Sequence, residues 1–61
     1  MIYLWHNTQH GNYEMGNERD FHLANLLSEV TIVHEFDGDE VRIAEKILIN
    51  LNRAVGEMAP A

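Results

Sequence analysis

Apolar and polar positions separate most cleanly between Asp39 and Met58, where their spacing predicts one long amphipathic helix. Counting about 100° per residue from Val41, the residues Ile43, Ala44, Ile47, Leu48, Leu51, Ala54, Val55 and Met58 fall with it in one arc of about 160°. Arg42, Glu45, Lys46, Asn50, Asn52, Arg53, Gly56 and Glu57 take the other side, and Ile49 alone breaks the division. Ile49 is either a harmless exposed residue or a point in a second contact surface. Within the arc, Val41, Ala44, Leu48, Leu51, Val55 and Met58 step by three and four alternately, which is heptad spacing. A stripe this broad has to be covered, by the chain's own sheet as core or by a second copy as a dimer seam.

The rest of the chain supplies the elements that such a helix needs. Ile2 to His6 is aromatic and β-branched and predicts a strand, with Ile2, Leu4 and His6 on one face and Tyr3 and Trp5 on the other. Gly11-Asn12 and Gly16-Asn17 are turn signals, and Tyr13 to Met15 between them is either a second strand forming a hairpin or plain loop. Asn17 or Gly16 starts a first helix that runs to about Ser28, with Glu18 and Asp20 in its first turn. Its apolar face is Phe21, Ala24 and Leu27, widened by Leu23 and Leu26. Val30 to Phe36 predicts a strand in which Val30, Ile32, His34 and Phe36 point one way and Thr31, Val33 and Glu35 the other. Asp37-Gly38 makes the turn, and Asp39 is the expected cap of the long helix.

The predicted order is therefore β-(β)-α-β-α, a small α/β or α+β domain with a two- or three-stranded sheet packed by the C-terminal helix. The strand-helix-strand unit permits parallel pairing through a crossover, which would make a three-stranded sheet mixed. Residues 1–61 read as a single domain with a fraying tail at 59–61. A chain this short buries only about 60% of its unfolded surface, so small scaffolds add disulfides, a metal or a partner chain. There is no cysteine, which removes disulfides and thiolate zinc sites, and the apolar stripe makes a homodimer the expected remedy.

Ten carboxylates against four basic residues give a net charge of −6, which argues against direct binding of phosphate backbones. A partner protein with a basic surface suits it. No apolar run reaches the length of a membrane span, and the start carries no signal-peptide pattern. The expectation is a complete cytoplasmic protein beginning at its own Met1.

Candidate chemistry is sparse. His6, His10 and His22 are weak metal-ligand candidates, with Glu14 or Glu18 as possible oxygen donors, but no motif of ligating spacing is present. His34 lies on a strand face among apolar residues, where a hydrogen-bonded core or interface role is usual. Ser28 is the only serine, so a nucleophilic triad has little to draw on, and neither an enzyme nor a cofactor is expected. Glu35, Asp37, Asp39 and Glu40 place four carboxylates in six residues, either as turn and helix cap or as an acidic docking patch.

These features point to a small acidic protein-binding protein, an inhibitor, adaptor or antitoxin-like factor of the kind found on phages. Docking would use Tyr3, Trp5 and Tyr13 as aromatic anchors and Glu35, Asp37, Asp39 and Glu40 as charges. The alternative is a histidine-based metal- or small-ligand-binding module.

Overall fold

The computed structural model describes residues 1–58, the side chain of Met58 excepted. The expected tail 59–61 and the last position of the seam, Met58, thus lie outside the described side chains. Three strands, β1 (Ile2–Asn7), β2 (Asn12–Gly16) and β3 (Val30–Phe36), alternate with two helices, α1 (Glu18–Leu27) and α2 (Val41–Met58). Their order is β-β-α-β-α, and the domain is α+β.

β1 is the central strand, in the order β2-β1-β3. It pairs antiparallel with both neighbours, so the sheet is not the mixed one that a parallel crossover would have given. The reason lies in the hairpin. Tyr13 to Met15 does form a strand, β2, which turns the chain back before α1, and the crossover then joins β2 to β3 across β1. Gly11 closes the hairpin at φ 76°, a left-handed conformation that costs glycine little, and its N–H donates to the Asn7 carbonyl at 2.8 Å.

α1 begins with a reciprocal cap. The Asp20 N–H donates to Asn17 Oδ1 at 2.8 Å, and the Asn17 N–H donates to Asp20 Oδ2 at 3.1 Å. The cap of the second helix is not Asp39. A short 3-10 turn, Gly38–Glu40, precedes α2, and the Asp37 N–H donates to Glu40 Oε1 at 2.9 Å. The four-residue cap spacing was available two residues earlier than the helix pattern alone implied.

Period two holds in β1 but fails in β3. Leu4 pairs with His34 and Trp5 with Ile32, so Val33 is an extra residue, a β-bulge. Ile32 and Val30 consequently share the face of Trp5 and Asn7, while His34 and Phe36 share the face of Leu4 and Ile2. The expected single face of Val30, Ile32, His34 and Phe36 is thus split in two.

The core sits between α2 and the Leu4 face. Leu4, Phe36 and Ala44 are buried, and Ile2, Tyr13, Met15, Leu48 and Leu51 pack around them. Ala44, Leu48 and Leu51 place the middle of the heptad seam against the chain's own sheet, while Val41 at its start is exposed. α2 covers β2 and β1, and α1 lies on the opposite face of the same two strands. One helix is about 10 Å across and strands lie about 4.8 Å apart, so a helix covers two strands and leaves the third bare. That third strand is β3, whose residues Thr31 to Glu35 are all exposed.

Asn52, read as polar and outward, turns inward to β2. Its Oδ1 accepts from the Tyr13 N–H at 2.8 Å and its Nδ2 donates to the Tyr13 carbonyl at 3.0 Å. It satisfies both main-chain groups as a further strand would. Asn52→Ala strips both bonds from the strand and is expected to cost about 1–3 kcal/mol. Exposed Glu45→Ala on the same helix should stay within about 0.5 kcal/mol, both measured by chemical denaturation.

Candidate docking surface

Trp5 anchors the second face of the sheet. It is 4% exposed, its ring meets Phe21 of α1 edge-on at 5.6 Å, and Tyr3 stacks on the same ring at 5.7 Å. In this structure Tyr3 and Trp5 are therefore held beneath α1, in the packing role that aromatic residues more often take. Tyr13 lies on the opposite face, its ring 4.7 Å from His6. The three aromatic anchors do not share one surface.

Beside Trp5 a buried polar network shapes the sheet end. Glu14 lies opposite Trp5 in the β1–β2 register. Its Oε1 accepts from Trp5 Nε1 at 2.8 Å and from Asn7 Nδ2 at 3.3 Å. Asn7 is 2% exposed, and its Oδ1 accepts from the His10 N–H at 3.0 Å. One carboxylate thus answers a buried indole and shares a buried amide with His10 Nδ1, which lies 3.4 Å from Asn7 Nδ2.

This network floors a cleft of about 370 Å³ between the sheet and α1. Trp5, Leu23 and Leu27 form its apolar walls, and Asn7, Glu14 and Asp20 its polar part. The apolar face expected of α1 is only partly used. Phe21 and Ala24 turn to the sheet, but Leu23, Leu26 and Leu27 are open, Leu26 at 82% and Leu27 at 73%. The helix is too narrow and the sheet beneath it too small to cover five apolar residues.

The histidines do not converge. His6 lies against Tyr13, His10 beside Asn7, and His22 is 3.6 Å from Glu18 on the exposed side of α1. Among the described residues no three His, Asp or Glu side chains are placed to hold a metal ion. His34 stacks edge-on with Phe36 at 4.7 Å. Glu35, Asp37 and Asp39 are exposed at the end of β3, while Glu40 is half-buried in its cap. Burial raises the Tyr3 phenol above its ordinary pKa, with the carboxylates of Glu18 and Glu35 adding to the effect. No helix among the described residues is long and apolar enough to cross a membrane.

From the sequence Glu14 stood only as an oxygen donor for a metal, and Leu26 and Leu27 only as part of the apolar face of α1. Leu26-Leu27 was visible as an apolar pair, but Glu14 acquires its role only through the strand register. Compared with protein-family models, curated proteins and solved structures, the chain matches none.

Glu14→Ala leaves the indole unanswered and the Asn7 Nδ2 amide with His10 alone, and should destabilise the fold by about 1–3 kcal/mol. Glu14→Gln keeps the accepting oxygen and should recover most of it, read through the fluorescence of the single tryptophan during denaturation. Tyr3 gives a pH test. The folded chain holds the phenol proton more tightly than the unfolded chain, so this stability is complete below pH of about 10 and is lost as pH rises through the folded pKa. Tyr3→Phe should lose less stability than the native chain over that alkaline range.

Proposed function

We propose that this chain is a small acidic protein-binding protein that works as a homodimer and docks on a partner through α1. The observation that carries this reading is the leucine edge of α1, Leu23, Leu26 and Leu27, open to solvent beside the Trp5 cleft. Isolated exposed apolar residues are ordinary on a protein surface, but a contiguous set beside a concave site is a docking signature.

The same surface defines the partner's chemistry. Glu14 and Asp20 line the cleft and Glu18 lies in the same helix, within a chain of net charge −6. A segment presenting one or two apolar side chains to the cleft, with Lys or Arg around them, matches in both shape and sign. Carboxylates at the rim would steer the approach, and the leucines and Trp5 would supply the buried contact.

This places the contact on α1 and moves Tyr3 and Trp5 from direct anchors to supports beneath it. The acidic turn Glu35, Asp37 and Asp39 remains open at the other end of the sheet. A second reading, a small-ligand module, draws on the same cleft, with His10 and Asn7 at its polar end.

Both Leu26 and Leu27 are exposed, so Leu26→Glu with Leu27→Glu should leave the circular dichroism spectrum native. A partner captured by the native chain from a lysate of its own cells should be lost by this variant, and released from the native chain by added salt. Equal retention by both chains would set the α1 reading aside.

A further inference from the structure

The apolar stripe of α2 is wider than the sheet it covers. Ala44, Leu48, Leu51 and Val55 point to the sheet, and Asn52, at one rim of the stripe, reaches the outer edge of β2. The opposite rim lies about 140–180° round the helix from Asn52, on the side where the sheet ends at bare β3. It carries Ile43, Ile47, Asn50 and Ala54, spaced four, three and four, which is a second heptad row. Ile43 is 53% exposed and Ile47 is also open.

Charge is left over on the same helix. Arg42, Lys46 and Arg53 lie beyond this rim, and the only ion pair among the described residues is that of His22 with Glu18. All four Lys and Arg residues therefore have no carboxylate within 4 Å among the described residues, and three of the four lie on α2. Glu35, Asp37 and Asp39 sit at the end of β3, level with the start of α2.

We propose that a second copy of the chain covers this rim, with the two α2 helices side by side and parallel between the two sheets. This inference rests on the homodimer reading above and names its surface. A two-fold axis along the helices brings Ile43, Ile47, Asn50 and Ala54 against their own equivalents. It also lays each α2 over the bare β3 of the other copy, because the helix pair is as wide as the three-stranded sheet and half a helix more. The acidic turn of one copy then stands over Arg42 and Lys46 of the other, so opposite charges meet where each copy alone leaves them unpaired.

The extent suffices. Eighteen residues of α2 make a rim about 27 Å long, which with the strand face beside it covers roughly 600 Å² per copy, the lower end of a specific interface. The need is also present, since among the described residues only Leu4, Trp5, Phe36 and Ala44 are buried apolar residues.

The test uses the intact chain in light scattering across a concentration series, together with cysteine cross-linking. The absence of native cysteine makes a single introduced thiol unambiguous. Asn50→Cys should oxidise rapidly to a covalent dimer, and Ile49→Cys, exposed on the other side of the helix, should not. Ile47→Glu should give a folded monomer by circular dichroism, while Leu26→Glu stays dimeric. Arg42→Glu with Lys46→Glu should weaken the dimer at least tenfold. A native chain that is monomeric at every concentration would overturn the homodimer reading itself. A dimer indifferent to Ile47→Glu and slow to cross-link at residue 50 would keep that reading and overturn this surface. Loss of α1 capture touches neither.

Discussion

The breadth of a helix against the breadth of a sheet governs this molecule. With three strands, the sheet is one strand wider than either helix can cover. Both helices settle over β2 and β1, where Leu4 and Trp5 give the central strand a large apolar side chain on each face. β3 is held by main-chain pairing and by Phe36 at its end, and Thr31 to Glu35 face water. The exposed rim of α2, the open leucines of α1 and the small buried core all follow from that one mismatch.

Local chemistry was legible where it depended on residues close in sequence. The Asn17–Asp20 cap, the Gly11 turn and the alternation of β1 are short-range patterns, and they fold as their residue types require. The long helix was legible for the same reason, since its stripe repeats over five turns. The core half of the seam, Ala44, Leu48 and Leu51, could be named as a stripe but not assigned to core or interface until the sheet was in place.

What the pattern hid was pairing. The bulge at Val33 exists only relative to β1, and one extra residue reverses which side chains share a face. Glu14 alternates in β2 like any polar strand residue, yet the register sets it against Trp5 and makes it the acceptor for a buried indole. Asn52 lay about 20° beyond Val41 on the helical wheel, at the border of the apolar arc, where polar and inward are both open to a residue. Its amide decided the matter by matching the geometry of a strand edge.

That clamp on Tyr13 has a topological meaning. A sheet with two open edges can add neighbours on both sides without limit, and the product is a fibre. Here one edge carries a side-chain amide in the place of the next strand, fixed by a helix 39 residues downstream. Strand addition is left with one edge only, that of β3. On the β2 side the chain thus carries its own terminator.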